Sequence, residues 1–416
     1  RFNTICYTDY NAVVGGCSNT ICGYDADYSG IFAGRRNYIG YRSQGSVILG
    51  GCYNSIYEAG NNFGGDAYSA IVGGVCNRIN YYSVYSTITG GCANSICHSY
   101  GSAVIGSYNG NICCSRESAI LGAHEGWIKC QRHSVIVGGQ WNYICGCDNE
   151  IYCNNAIVAG CENHITEYAG HSAILSGGSN CINGNSYYST INGGRFNSMY
   201  DGYCSAIVSG HSNHMYNSSN TAMVGGDWNC TAYRVCSSGI FAGAGNHIED
   251  HSCRSTVVGG HCNHIINNSC DSGIVGGCRN IICCDSCSSV VMGGSNNQIC
   301  GGYDYQYWGA PYNRDSSIIS GNNNRIICGG FESSIIAGRN NTICGEICLV
   351  SPSNSYCRVS ERSVIMGSQY NDIVSSYASS IISSCGWYNT NAICLSYNSS
   401  INSHFSCYGS VIYNSS

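Results

Sequence analysis

The sequence has few charged side chains. Asp, Glu, Lys and Arg make up 10% of its 416 residues, against about 25% in typical soluble domains, and Lys129 is the single lysine. The cations form no stripe or block, which argues against nucleic acid as a partner. No uninterrupted apolar run approaches the length of about 18 residues that a membrane helix needs, so we predict no membrane insertion. Scattered acids and one lysine leave few candidate general bases, so we expect no enzyme and no cofactor.

Glycine, cysteine and tyrosine are abundant instead, and they occur within a repeat. Its pattern is Ser, small, Ile, apolar, Gly, Gly, two variable residues, Asn, variable, Ile, with clear copies at 69–79 and 255–265. Most copies follow one another at intervals of 16 to 18 residues. The copies begin at residues 11, 29, 46, 69, 86, 102, 118, 134, 155, 172, 189, 205, 221, 238, 255, 272, 289, 316, 333, 363 and 380.

A period near 17 residues with two short β-branched segments predicts one coil of a solenoid. It is too short for repeats built from helix pairs, which need about 33 residues or more. We therefore predict an all-β, parallel β-solenoid (a β-roll) of about 21 coils with two strands per coil, running as a single continuous solenoid over 1–416. The longer intervals predict insertions near 57–68, 145–154, 301–315 and 346–362.

Two rows of isoleucine and one row of asparagine recur once per coil. Side chains alternate along a strand, which places the third-position Ile and the Ile after the Asn inside the coil. The Asn amides are expected to tie down their own turns and to stack on their neighbours. The predicted core includes Ile71, Ile79, Ile88, Ile96, Ile136, Ile144, Ile174, Ile182 and Ile274. The predicted Asn ladder includes Asn77, Asn94, Asn142, Asn163, Asn180, Asn197, Asn213 and Asn263.

The opposite face of the first strand is small at its second position and apolar at its fourth, as at Ala70 and Val72. A strand that is apolar on both faces is normally buried on both. Left exposed, this strip would repeat along the chain, far beyond what a monomer usually shows. The sequence therefore predicts that the chain's partner is itself, in a parallel homo-oligomer.

The motif Ser-Ala-Ile-Val-Gly-Gly followed by Asn-x-Ile, as at 69–79, resembles the head repeats of trimeric autotransporter adhesins. Similar copies stand at 134–144 and 272–282. The resemblance implies a left-handed parallel β-roll, a trimer, and an adhesin or fibre at a cell or virion surface. The period near 17 residues is longer than that of the family, and the 33 cysteines are foreign to it.

Cysteine spacing follows the coil. Equivalent positions in neighbouring coils lie about 4.8 Å apart, within the Cα separation that a disulfide accepts. Ladder disulfides are our first interpretation, with buried thiols and metal ligation as alternatives. Disulfides would indicate an oxidising, extracellular location. We predict the pairs Cys236–Cys253 and Cys270–Cys287 first, and the other candidates are Cys97, Cys113 or Cys114, Cys130, Cys147, Cys283 and Cys300.

Histidine and tyrosine offer weaker signals. Four histidines each follow a repeat Asn: His164, His214, His247 and His264. We interpret them either as outward-facing strand positions or as part of a zinc site with His251 and His261 nearby. Tyrosines crowd the turns, where they either pack the turn or contact surface carbohydrate. Glycosylation sequons stand at Asn217, Asn229, Asn267, Asn340, Asn398 and Asn414.

These patterns favour a structural or adhesive extracellular fibre segment. The alternative is a carbohydrate-binding or carbohydrate-cleaving β-helix of the tailspike kind. An ice-binding surface is excluded, because threonine occupies the second position in few coils. Residues 3–5 match a second strand without its first strand, and 410–412 match the start of a first strand. From this we expect an interior stretch of a longer chain, or units that stack end to end into a filament.

Overall fold

The computed structural model describes residues 2–60, 67–146, 154–301, 313–327, 330–345, 360–367, 369–383, 391–394, 399–403 and 411–413. These residues form an all-β structure of parallel stacked coils, about 17 residues per coil and about 20 turns in all. The predicted fold class is confirmed. None of the described residues forms a helix, and no candidate for a membrane-spanning helix exists among them.

The chain divides into two compact units, Arg1–Cys204 and Ser205–Ser416. Each unit repeats the same coil, with one strand after the buried Ser and one after the buried Asn, here called strand one and strand two. The two units are described separately, so the single continuous solenoid over 1–416 stays a prediction.

In the first unit the strands of each kind stack into their own parallel sheet. Strand one occupies Ala12–Val13, Gly30–Ile31, Val47–Ile48, Ala70–Val72, Thr87–Thr89, Ala103–Ile105, Ala119–Leu121, Val135–Val137, Ala156–Ile157, Ala173–Ile174 and Thr190–Ile191. Strand two occupies Thr4–Cys6, Thr20–Cys22, Tyr38–Ile39, Ser55–Tyr57, Arg78–Asn80, Ser95–Cys97, Asn111–Cys113, Trp127–Lys129, Tyr143–Cys145, His164–Ile165, Cys181–Asn183 and Ser198–Tyr200.

The second unit has the same two sheets. Strand one occupies Ala206–Ile207, Ala222–Val224, Gly239–Phe241, Thr256–Val258, Gly273–Val275, Val290–Met292, Ser317–Ile319, Ser334–Ile336, Val364–Met366, Ser380–Ser383 and Ser400–Ser403. Strand two occupies His214–Tyr216, Cys230–Ala232, His247–Glu249, His264–Ile265, Ile281–Cys283, Gln298–Cys300, Arg325–Ile327, Thr342–Cys344, Asn371–Val374, Asn391–Cys394 and Val411–Tyr413. Two short extra pairs join Ser218–Ser219 to Val235–Cys236 and Gly330–Phe331 to Ser360–Glu361.

Equivalent residues of successive coils are paired in register. Ile71 pairs with Ile88, and Ile79 pairs with Ile96. Coils on either side of the longer intervals still pair directly: the Asn-to-Asn hydrogen bonds there join residues 23, 21, 27 and 30 apart in sequence. The four insertions therefore leave the strand register unbroken.

The interior consists of the two predicted isoleucine rows. Every predicted core isoleucine has no exposed surface, including Ile71, Ile79 and Ile274. In-register parallel strands bring equivalent residues together, so each row is a stack of mainly isoleucine side chains, with valine or methionine in a few coils, as at Val104 and Met223. The prediction for these core positions is confirmed.

The buried asparagines form the predicted ladder. Asn263 Nδ2 donates to the Gly259 carbonyl of its own turn at 3.4 Å and to the Gly277 carbonyl of the next coil at 3.3 Å. Its Oδ1 accepts a hydrogen bond from the Asn280 N–H at 3.0 Å. Each amide thus satisfies backbone groups that would otherwise be buried without partners.

Serine forms further ladders that the repeat pattern did not predict. The Ser255 hydroxyl donates to the Ser269 carbonyl at 3.0 Å, and its oxygen accepts the Ser272 N–H at 3.2 Å. Ser269 and Ser286 belong to a second buried serine row, in which the Ser286 N–H donates to the Ser269 hydroxyl oxygen at 3.3 Å. Buried backbone groups at the turns of the coil are therefore hydrogen-bonded by short serine side chains.

The turn before the Asn requires glycine at one position in particular. Gly260 has a φ of +83°, and a Cβ there would overlap the Gly277 carbonyl oxygen of the next coil. The residue directly before the Asn is also left-handed, but it is seldom glycine, as Trp228 and Cys262 show with φ of 56° and 53°. Close approach to the next coil, rather than positive φ alone, selects glycine.

The last described strands correct one prediction. Val411–Tyr413 pairs with Asn391–Cys394 in the strand-two sheet, so the assignment of 410–412 to strand one is wrong. The reason is a coil that the repeat pattern missed, because Ser400–Ser403 already occupies the strand-one position beside Ser380–Ser383. At the other end, the assignment of 3–5 to strand two is confirmed by the pairing of Thr4–Cys6 with Thr20–Cys22.

Candidate functional site

The outer face of strand one is an exposed apolar strip. Its second-position residues are half-buried, and its fourth-position residues lie outside, with Val258, Val275 and Met292 exposed by 44%, 46% and 48%. Across the described coils, neither position carries Asp, Glu, Lys or Arg. We call this surface the strand-one face.

The outer face of strand two, here the strand-two face, uses the same backbone for varied polar side chains. Its first position is often Thr or Ser and holds Arg, His, Cys, Tyr, Gln or Trp in other coils, and its third position often holds cysteine. His247 and His264 stack in neighbouring coils, with ring centroids 4.7 Å apart. The prediction that these histidines point outward is confirmed for His164 and His214, whose side chains are exposed.

One group on the strand-two face combines three ligand types. Cys230 and His247 are register partners in adjacent strands, and Glu249 follows His247 on the same side of the coil. The thiol, imidazole and carboxylate donor atoms all lie within 4.8 Å of one another. The His247 Nδ1 and the Glu249 Oε1 are 2.9 Å apart.

Burial and neighbouring charges shift the pKa values of this group. The hydrogen bond with His247 is the main cause that lowers the pKa of the Glu249 carboxyl. Partial burial, followed by the charge of Glu249, raises the pKa of the Cys230 thiol to about 12. Burial also lowers the pKa of His264 and of His214. In the absence of a cation the thiol therefore stays protonated beside an ionised carboxylate.

The zinc alternative drawn from histidines alone does not assemble. His251 and His261 lie outside the group of donor atoms that contains His247, while Cys230 and Glu249 belong to it. The repeat pattern missed Cys230 because Thr231 replaces the expected Ile in that coil, where it is buried and bonded to the Ser218 hydroxyl.

A shallow cleft runs along the strand-two side of the second unit. It has a volume of about 540 Å³, and two arginines, Arg279 and Arg325, line it together with the amide side chains of Gln298, Asn296 and Asn323. Guanidinium and amide groups bind carboxylates and hydroxyls through directed hydrogen bonds. The cleft is therefore suited to an extended polar ligand rather than to an apolar one.

Two disulfides join neighbouring coils on the strand-two face, Cys283–Cys300 and Cys6–Cys22, with Cα atoms 4.7 Å apart in each. Cys283–Cys300 was among the predicted candidates, and Cys6–Cys22 was not. Both link register partners, so the geometric argument for coil-to-coil pairing holds at these positions.

The other predicted cysteines among the described residues carry thiols. The residues Cys253, Cys270 and Cys287 occupy equivalent positions in successive coils, because the Asp271 N–H donates to the Cys253 carbonyl and the Ser288 N–H donates to the Cys270 carbonyl. The Cys253 N–H also donates to Cys270 Sγ at 3.3 Å. The pairs Cys236–Cys253 and Cys270–Cys287 stay predictions.

In the first unit the cysteine row divides between the two alternatives Cys113 and Cys114. Cys97 and Cys113 are register partners, as predicted. Cys113 pairs onward with Lys129, so the next cysteine, Cys130, is equivalent to Cys114 instead. Cys147 lies outside the described residues.

The sequons divide by exposure. Asn217 is exposed, while Asn267 and Asn340 are partly exposed. Asn229 is fully buried, and its Nδ2 donates to the Gly225 and Gly243 carbonyls as a member of the Asn ladder, so its assignment as a glycosylation site is wrong. Asn398 and Asn414 lie outside the described residues.

Aromatic side chains at the turns stack from coil to coil. Tyr10 and Tyr28 have ring centroids 5.0 Å apart, and His171 and Tyr188 have centroids 4.9 Å apart. Such stacking supports the turn-packing interpretation of the tyrosines, although their outer ring faces and edges stay exposed.

No protein-family model and no curated protein matches this sequence.

Proposed function

We propose that the chain is a structural or adhesive fibre segment that associates with further copies of itself through the strand-one face. The observation that carries this proposal is the strip of exposed apolar side chains with no charged residue in any described coil. A solenoid whose interior is already filled by isoleucine gains nothing for its own fold from this second apolar face.

The size of the strip supports a second copy as its occupant. One side chain per coil, exposed by roughly two fifths, amounts to about 500 Å² in each unit, at the upper limit for a monomer. Two such strips placed together would bury about 1,000 Å², the area at which specific interfaces begin. Small second-position residues such as Ala206 and Gly273 let the neighbouring chain approach closely.

A copy of the same chain also matches the repeat. Coils rise by the strand spacing of about 4.8 Å, so parallel chains present fourth-position side chains in phase along their length. A partner of another kind would need the same period. A parallel trimer, as the adhesin resemblance implies, arranges three such faces around one axis.

The location that we propose is extracellular, at a cell or virion surface. Cysteine is frequent, and neighbouring coils place cysteines at disulfide distance, as in Cys283–Cys300. Structural disulfides persist in oxidising compartments and are rare in the cytosol. The exposed sequon at Asn217 fits the same setting.

Adding charge to the strip tests the proposal. The double variant Val258→Glu/Val275→Glu places two carboxylates on the strand-one face, and Ile281→Glu/Gln298→Glu places the same two on the strand-two face. Sedimentation velocity should show assembly for the native chain and the strand-two variant, and a dissociation constant at least tenfold weaker for the strand-one variant. A native chain that is monomeric at micromolar concentration, or equal losses in both variants, would contradict it.

The cleft favours one additional function, binding of an acidic polysaccharide. Arg279 and Arg325 face it with neighbouring amides, which suits carboxylate and hydroxyl groups on an extended sugar chain. Affinity electrophoresis in polygalacturonate should show retardation that Arg279→Ala/Arg325→Ala abolishes and that Arg78→Ala, at the position equivalent to Arg325 in the first unit, leaves unchanged. Equal retardation in neutral dextran would refute this function.

A further inference from the structure

The group formed by Cys230, His247 and Glu249 contains the donor atoms that a borderline divalent metal ion prefers. Zinc in proteins binds thiolate, imidazole and carboxylate, at about 2.0–2.3 Å from each donor. In a tetrahedral shell such donors lie about 3.3–3.8 Å from one another. The three donor atoms here already lie within 4.8 Å, and His247 Nδ1 and Glu249 Oε1 within 2.9 Å. Small side-chain rotations would close the shell.

The backbone that carries these donors is held in place from both sides. Cys230–Ala232 and His247–Glu249 are paired in register, so the separation of Cys230 and His247 is set by the spacing between strands. Between the two ligands of its coil, Ile248 is fully buried and anchors the strand. On the far side, the His264 ring stacks on the His247 ring at an interplanar angle of 16° and supports its orientation.

The group is also accessible. The side chains of His247 and Glu249 are 32% and 24% exposed, so one side of the group meets solvent while the other rests on the coil. An ion could enter from that side, and a water molecule could supply a fourth ligand. Three protein ligands plus water is a common arrangement for zinc.

We propose that Cys230 Sγ, His247 Nδ1 and the Glu249 carboxylate bind one Zn²⁺ ion, with water as the fourth ligand. On binding, the Cys230 thiol loses its proton to solvent. The proton that His247 Nδ1 donates to Glu249 is also exchanged through solvent, which leaves the ring protonated on Nε2 and its Nδ1 lone pair free for the ion. No redox change accompanies the step. The ion replaces the hydrogen bond between His247 and Glu249 and cross-links two adjacent coils on the strand-two face.

Other groups in the described part of the chain lack one component. Cys283, Cys284 and Cys300 also lie close together, but the disulfide between Cys283 and Cys300 leaves Cys284 as the single thiolate donor. In the first unit, His164 and Cys181 are register partners like His247 and Cys230. Thr166 stands there at the position of Glu249. Glu167, whose charge acts on Cys181, does not form a group of ligand atoms with Cys181 and His164, so this pair lacks a carboxylate ligand.

Residue-resolved alkylation tests the site despite the many other thiols. The full chain, treated with chelator and a phosphine reductant, is alkylated with iodoacetamide with and without Zn²⁺, and the rate at each cysteine is read by peptide mass spectrometry. We expect Zn²⁺ to slow modification of Cys230 at least tenfold. Cys181, in the matched pair without a carboxylate, should change by less than threefold in the same sample.

Variants then assign the protection. Glu249→Gln and His247→Gln should each remove most of the zinc protection of Cys230, while His164→Gln should leave it intact. Circular dichroism establishes that each variant keeps its β-structure, and the isosteric Glu249→Gln provides the decisive comparison if His247→Gln folds poorly. Equal alkylation of Cys230 with and without Zn²⁺, or protection that survives Glu249→Gln, would overturn the proposal.

Discussion

The two outer faces of the coil share a backbone and an interior but differ in chemistry. The strand-one face is uncharged and mostly apolar in the described coils, with polar exceptions such as Thr89 and Asn192. The strand-two face instead changes from coil to coil and carries the stacked pair His247 and His264, the disulfides and the cleft. Uniformity is what association with an identical chain requires, because every coil must match the next chain in the same way. Variation is possible only on a surface that no such partner covers. Under the proposed function, the solenoid separates a surface for assembly from a surface for individual sites.

The largest effect should come from damage to the interior that both faces share. Ile274 is fully buried in the strand-one row, so Ile274→Asp would place an unpaired charge in the core and cost more than about 4 kcal/mol. Ile274→Val keeps the shape and should cost about 1 kcal/mol. Hydrogen exchange should show lost protection in the coils around Ile274 for the aspartate variant alone. Undiminished protection there would mean that the row is not the stabilising core.

Removing a disulfide should affect one face only. Cys283–Cys300 closes a loop of 17 residues on the strand-two face, for which the chain-entropy model gives about 3 kcal/mol. Cys283→Ser/Cys300→Ser should lower the stability of the second unit in urea by about that amount and leave assembly through the strand-one face unchanged. The matched control is Cys97→Ser/Cys113→Ser, a register pair that carries thiols, with an expected loss below about 1 kcal/mol. Equal losses would indicate that Cys97 and Cys113 are also bonded.

In the turn between strand one and strand two, alanine should cost more stability at one of two adjacent glycines than at the other. Gly260→Ala meets both the strain of a positive φ and overlap with the next coil, and should cost about 2–3 kcal/mol. Gly259 has a φ of +69°, but a Cβ there would meet no other atom within 4 Å, so Gly259→Ala should cost about 1 kcal/mol. Urea denaturation midpoints measure both, and a larger loss at Gly259 would contradict the close-approach explanation.

The smallest expected effect is a dependence on pH that belongs to the strand-two face. The pKa of Glu249 is lowered, chiefly by the hydrogen bond with His247, so its contribution to stability is present above the unfolded carboxyl pKa of about 4.3 and is lost as the pH falls through the lower folded value. In metal-free buffer, Glu249→Gln should be less stable than the native chain by less than about 1 kcal/mol at pH 6, and the difference should shrink below pH of about 4. Val275→Ala on the strand-one face should differ from the native chain by the same amount at both pH values.

The regular parts of this fold could be predicted because the same residue pattern recurs in most coils. Alternation along a strand placed Ile71 and Ile79 inside, and a conserved distance from the Gly-Gly turn placed the Asn ladder. The last described coil was misassigned because the Gly and Asn signals are absent near Ser400, and pairing rather than motif decides its register. Periodicity is therefore a reliable guide only where each coil keeps its turn residues.

The individual sites could not be predicted in the same way. Cys230 lies in a coil where Thr231 replaces the repeat isoleucine, and Glu249 lies after the motif ends. Their meeting depends on strand register and on the side of the coil that each side chain occupies, which the spacing of single residue types does not give. Register alone does not give the redox state of the cysteines either. Cys97 and Cys113 are register partners that carry thiols, whereas the register partners Cys283 and Cys300 form a disulfide.

In-register pairing of neighbouring coils has a consequence for how quickly such a chain can fold. Within a unit, most contacts join residues one coil apart, such as Ile71 with Ile88 or Asn263 with Asn280. Outside the four longer intervals, the loop that must close to add a coil is therefore the same short loop at each step, and the entropy lost in closing it does not grow as coils are added. Folding can start at any well-formed pair of coils and extend by one coil at a time, as in other linear repeat arrays. A solenoid of this kind gains length without becoming slower to extend.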